Sequence, residues 1–415
     1  MVNQKEFLEW FTGAIETEFS SSPGEPLPWA PGHPKQWSSA RAAIQLGQET
    51  QSTPTLSANE ELLGVGVGQD VHVYRVATQE RLAVLKGHTD VVEAVHFSNQ
   101  TTADGARLLV SHSGVILGDA SQVVLWKLCS DGVSVVGEQV ETFGAQLGLY
   151  GSSVFTPDGK LLFISNNAST QFDEEDGISR DAESLPTIHL WDIAGKTTLL
   201  QLCGHTDAIQ CVTVSSDGSL LASAAWDGTA RIWDAVTGAC LKVLGQFDGG
   251  QLWSVAFSPS GKHVAISQES PWGRVHVCEV NSGRTLSTVK FHIWTRSLTW
   301  SPDGSKVACG ADPGTVAVWD PLTGEESMRW ALKLDDFGMG TMAMPRGLRF
   351  LGQDKIIFQL NEGTVYVYDL AGHQKYQFGR GPEDRQSKFP RAEMACSARL
   401  VVIPDTDGVL RLFDL

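Results

Sequence analysis

Long apolar runs are missing from this 415-residue chain, so no segment reads as a helix able to span a bilayer. The opening stretch MVNQKEFLEWFTGAIETEF sets acids among its apolar residues, unlike a secretory signal. Basic charge is also scarce. Lys and Arg number 31 against 48 Asp and Glu, a formal net charge of -17. That excess repels nucleic-acid phosphate and anionic lipid and attracts basic proteins or peptides. Cysteine is thin and scattered: Cys129, Cys203, Cys211, Cys240, Cys278, Cys309 and Cys396 stand singly, mostly inside apolar runs, with no Cys-x-x-Cys pair. Such usage reads as reduced core thiols in a chain of the cytoplasm or nucleus, without a structural zinc. Chemistry-bearing motifs are missing too. There is no Gly-Lys-Ser/Thr phosphate loop, no His-Glu-x-x-His and no Cys/His metal set, and GVGVGQD (64–70) has no helix after it. The expectation is no catalytic residue, no metal and no cofactor.

What the chain does hold is glycine, 42 of them, and many short apolar stretches punctuated by turn residues. One stretch repeats. IHLWDIAGK (188–196), ARIWDAVTG (230–238) and VAVWDPLTG (316–324) are nearly the same strand and turn. Looser copies are VHVYRV (71–76), VVLWKL (123–128), VHVCEV (275–280), VYVYDL (365–370) and LRLFDL (410–415). Their large residues, Tyr74, Trp126, Trp191, Trp233, Cys278, Trp319, Tyr368 and Phe413, are spaced by 52, 65, 42, 45, 41, 49 and 45 residues. A period in the forties built of short strands marks a propeller blade. Within one period, AIQCVTVSSDGSLLASAAWDGTARIWDAVTGACLKVLG reads as four strands joined by Ser-Asp-Gly, Asp-Gly and Thr-Gly turns. Gly87-His88 and Gly204-His205 precede innermost strands.

With those residues the chain resembles the WD-repeat β-propeller family over about 37–415, most closely in 187–325. Eight third strands imply an all-β, single eight-bladed propeller, with a seven-bladed ring as the alternative. The chain stops at Leu415, on a third strand, so the last blade needs an outer strand from elsewhere. WSSARAAIQL (37–46), with Ala42, Ile44 and Leu46 alternating, is the expected donor. Residues 1–19 read as an amphipathic helix capped by Asn3 and Glu6, with Phe7, Phe11, Ala14, Ile15 and Phe19 on one face. It would dock on the ring or on a partner. Residues 20–36 read as a proline-punctuated linker, dispensable up to 34 for closing the ring.

The resemblance implies a hydrogen-bonded set of Trp233, Asp227, Ser223 and His205 inside one blade. The same residue types suggest a Ser-His-Asp hydrolase, but no oxyanion-hole motif accompanies them. Trp226, just before the turn aspartate, falls outside this set. In such a ring it lies on the top face, where the innermost strands begin. Aligning the blades puts Gln251, Trp253, Trp294 and Arg296 there at strand starts, Trp272 in a turn, and Met344 and Arg346 at the next strand start. Trp and Arg dominate binding hot spots. An insertion, QFDEEDGISRDAESLP (171–186), adds an acidic loop on blade 3 without calcium-loop spacing. The expected role is a non-catalytic scaffold or adaptor that binds a protein or peptide, possibly as an acidic escort of a basic client. Alternatives are a substrate receptor or subunit of a larger complex (ubiquitin ligase, ribosome biogenesis, chromatin or coat assembly), or an enzyme at the channel mouth. Oligomeric state is not readable.

Overall fold

Alternating apolar residues and Asp-Gly turns fix each blade as a four-stranded antiparallel unit. The computed structural model describes residues 20–21, 25–114, 121–130, 134–148, 151–165, 185–245, 247, 249–269, 273–291, 294–311, 314–331, 345–360, 363–380 and 392–415. The expected helix of residues 1–19 and most of the acidic insertion lie outside them. Blade 4 is the pattern: Ile209–Val214, Leu220–Ala225, Thr229–Asp234 and Cys240–Gly245 pair in chain order. Its first turn closes where Ser215 Oγ–H and the Ser219 backbone N–H both donate to Asp217 Oδ1, at 2.6 and 3.0 Å. Gly218 then takes φ +75°, which a β-carbon would strain. Ser301-Pro-Asp-Gly repeats the device.

Eight such sheets follow one another, beginning at Thr55, Val92, the bridged segment 145–155, Ile209, Leu252, Thr295, Arg346 and Ala395. The seven-bladed alternative falls. Blade 8 receives its outer strand from Ala42–Gln45, antiparallel to Val409–Asp414, with Ile44 opposite Leu410 and Ala42 opposite Leu412. Residues 42–45 thus stand as the fourth strand of blade 8.

The core is eight seams, one between each pair of neighbouring blades. Each of the eight large third-strand residues occupies its own seam, from Tyr74 between blades 8 and 1 to Phe413 between blades 7 and 8. Trp233 and Trp319 are at most 1% exposed. In six blades the outer pairing slips by one residue at this position, as between Ile232 and Trp233. The bulge bends the strand locally.

Two expectations need correction. Cys129, Cys203 and Cys240 are exposed, and only Cys211, Cys278 and Cys309 are buried. The exposed thiols sit at ends of third or outer strands, where one face of the pleat meets water. The segment read as a linker is also held. Leu27 is buried in the seam of blades 6 and 7. Residues 28–30 bracket Lys375, whose backbone N–H donates to Pro28 O and whose carbonyl accepts from Ala30 N–H. Lys35–Gln36 pairs in parallel with Phe378–Gly379 as a fifth strand on blade 7. Trp37 then donates its indole N–H to buried Asp405 at 2.8 Å, a carboxylate also bound by Arg380.

Candidate partner-binding face

The clamp of blade 4 is built as the resemblance implied. Trp233 Nε1–H donates to Ser223 Oγ at 2.9 Å, Ser223 Oγ lies 2.7 Å from His205 Nε2, and His205 Nδ1 lies 2.8 Å from Asp227 Oδ2. This chain assigns the proton to Nδ1, which donates to the carboxylate. Asp227 also accepts from the Thr206 and Thr229 backbone N–H groups. Burial opposes its ionisation, yet these donors and His205 hold its carboxyl down to about 2. Burial lowers the imidazole, although Asp227 pulls it upward. The pair is carboxylate and neutral imidazole at neutral pH. Ser223 is fully buried and its oxygen is already used by Trp233. A hydrolytic nucleophile must meet substrate, so this set fastens strands. Gly204 takes φ +151° here, a conformation that strains any L side chain.

Blade 2 repeats the clamp with a substitution that the sequence did not reveal. Trp126 Nε1–H donates to Ser111 Oγ, and His88 bridges Ser111 and Ser113 at 2.6 Å each. Ser113 does the work of the aspartate. Only Gly87-His88 announced it.

On the top face, the innermost strands of blades 4, 5 and 6 begin in the same register. Ile209, Leu252 and Thr295 are the first paired residues of three innermost strands, and each strand bulges at its next residue. The extra residues are Gln210, Trp253 and Arg296, and in blade 2 Glu93. A bulge at a strand start re-aims a side chain. Gln210 and Glu93 went unnoticed because a bulge has no compositional mark. Gln251 is exposed and Trp294 is 42% exposed, both one residue ahead of the pairing. Arg346 opens the innermost strand of blade 7 and is half-buried. Beside it and Arg349, burial raises the Glu393 carboxyl while both guanidinium groups pull it down. Trp272 and Met344 lie outside the described residues.

Trp226 follows the second strand of blade 4. It is half-buried, and its ring meets that of Trp253 across the seam of blades 4 and 5, centroids 5.5 Å apart and planes at 57°. The turn after it nests against the neighbouring loop: a β-carbon on Gly228 would stand 3.1 Å from Gly250 O. The structure therefore joins Trp226 to Trp253, while Gln251, Trp294 and Arg346 stand at strand starts on blades 5, 6 and 7.

Known proteins agree with this architecture. The WD40 family, described as WD domain, G-beta repeat, matches residues 196–234 and 283–320. The chain is an eight-bladed β-propeller that carries WD40 repeats in these two segments. It is 30% identical over 142 residues to small ribosomal subunit protein RACK1y of Oryza sativa subsp. japonica, covering 32% of this chain and 40% of that protein. It is 29% identical over 149 residues to Protein tipD of Dictyostelium discoideum, covering 34% and 23%. The matches thus span under half of each curated relative. Among solved structures, Chaetomium thermophilum Sqt1 bound to the N-terminus of the ribosomal protein L10 superposes with TM-score 0.68 at 15% identity, over 91% of this chain and 99% of that one. Saccharomyces cerevisiae Sqt1 gives 0.66 at 14%, over 91% and 98%. At such identity the likeness is one of fold.

Proposed function

We propose that this propeller is a non-catalytic protein-binding scaffold whose top face holds an extended segment of a basic client, which it escorts in the cytoplasm. The observation that carries this reading is the Trp226–Trp253 pair, half-buried at the start of the innermost strands, in a chain of net charge -17. Two indoles offer apolar area at low entropic cost, and the acidic field draws a cationic chain toward them. Sqt1, similar in fold over nearly its whole length, is named for binding the N-terminus of a ribosomal protein. RACK1y is itself a ribosomal subunit protein. Ribosomal proteins are the first client class to try.

The test is an array of N-terminal peptides from ribosomal proteins and histones, with acidic peptides of equal length, probed with the full chain. Basic peptides should bind, bind less in high salt, and lose affinity to the Trp253→Ala chain. Binding by none of them, or equally by the acidic controls, ends the proposal. Should the chain instead co-sediment stoichiometrically with assembled ribosomes and ignore free peptides, the subunit reading replaces the escort.

A further inference from the structure

Seven of the eight seams bury an aromatic ring completely or nearly so; the seam of blades 4 and 5 is the exception among the described residues. Its third-strand position carries Cys278, and its buried lining is small and aliphatic, including Cys211, Ala222, Ala224 and Val264. Phe247 and Phe257 pack partly buried against this lining, and Trp226 and Trp253 meet each other where the innermost strands begin. Trp226 carries a second peculiarity. Its indole Nε1 is out of water and has no hydrogen-bond partner among the described residues. A buried donor without an acceptor is unfavourable. Trp226 therefore rests in a position that an arriving acceptor would improve.

We propose that the Trp226–Trp253 pair is a movable cap over the blade 4–5 seam, into which an extended basic polypeptide seats one apolar side chain. The Trp226 indole turns away from Trp253, the client side chain takes its place above the small aliphatic lining, and a client backbone carbonyl accepts the Trp226 N–H. This rests on reading the top face as the client site. A polypeptide fits because every residue of an extended segment presents a carbonyl. A phosphate-bearing polymer would meet the repulsion of the acidic chain. An apolar side chain fits because the buried residues of this seam are small and aliphatic, with Phe247 and Phe257 partly buried against them.

The experiment selects a random peptide display library on the full chain. Recovered peptides are then measured against wild type, Trp226→Phe, Trp226→Ala and Trp253→Ala, each with its thermal midpoint. Recovered peptides should be basic and share one apolar position. Trp226→Phe keeps a ring and deletes the unpaired donor, so its midpoint should hold or rise while affinity falls about tenfold. Trp226→Ala and Trp253→Ala should weaken binding by about thirtyfold or more. Recovery of no peptide would overturn the reading of the face itself. Peptides that bind Trp226→Ala as tightly as wild type would overturn the cap alone, leaving the face with another anchor. If Trp226→Ala weakens binding but Trp226→Phe does not, the donor has no role and the cap mechanism is wrong.

Discussion

Trp226-Asp227 and Trp233-Asp234 repeat one dipeptide in opposite surroundings. Trp233 is 1% exposed, donates to Ser223 and packs between blades 3 and 4. Replacing it by Ala opens a cavity and leaves Ser223 Oγ without its indole donor. That should cost about 3–5 kcal/mol. Trp226 is half-buried and carries an unsatisfied donor, so Trp226→Ala should cost no more than about 1 kcal/mol. Chemical denaturation of the two variants checks the contrast; equal losses would make both tryptophans scaffold. Resemblance sufficed to assign Trp233 its clamp, because Ser223, His205 and Asp227 stand at the family's spacing. The half-burial of Trp226 was not legible. It depends on Trp253, which reaches it from the next blade through a bulge that leaves no trace in composition.

Among the elements, the N-terminal arm carries most of what sequence missed. The closing strand was readable, since Ala42, Ile44 and Leu46 alternate as a half-buried strand must. The docking of residues 27–36 was not, because a two-residue parallel strand is too short to show periodicity. Yet this arm holds on by several means. Leu27 is 6% exposed, the Lys375 ammonium sits 4.4 Å over the Trp29 ring, and His33 meets Tyr376 and Phe378 edge-on at 4.9 and 5.1 Å. Truncation should therefore grade with its endpoint. A chain without residues 1–26 keeps Leu27, Trp29 and His33 and serves as the reference. Removing 1–34 should cost roughly 2–4 kcal/mol from the lost burial of Leu27 and its neighbours while the chain stays monomeric. Removing 1–46 takes the outer strand of blade 8 and bares an edge, so that chain should aggregate. Light scattering and thermal scans on the three chains decide it; a soluble, equally stable 47–415 chain would mean that the ring closes without Ala42–Gln45.

On the scale of the whole ring, every blade leans on two neighbours, so a weakness in one seam is felt as loss of the closed molecule. Blade 2 holds such a weakness in its histidines. His88 and His112 are 7% and 3% exposed, His96 is half-buried on the innermost strand, and burial holds all three imidazoles down to about 4. Charge on His88 or His96 would also repel a proton from His112. In the unfolded chain each imidazole titrates near 6.5. Between 6.5 and 4 the unfolded state thus binds more protons, and stability must fall as pH falls through that window. Acidification below both values costs the fold at most about 3 kcal/mol per histidine relative to neutral pH, less where water reaches the ring. Glu393 acts in the opposite sense, because its raised carboxyl binds a proton more readily when folded and recovers some stability on acidification. His33, His72, His189 and His205, also lowered by burial, act in the same direction as the three, so the balance is a net loss. Asp227, held at about 2, adds its own loss only below the unfolded carboxylate range near 4. Denaturant midpoints should accordingly decline from pH 7 to pH 4.5, and His112→Gln should flatten the slope. That variant also removes an imidazole nitrogen, Nε2, with no partner among the described residues, so its stability at pH 4.5 should approach or exceed wild type. A wild-type profile level across that range would show these imidazoles to be hydrated and protonated in the folded ring.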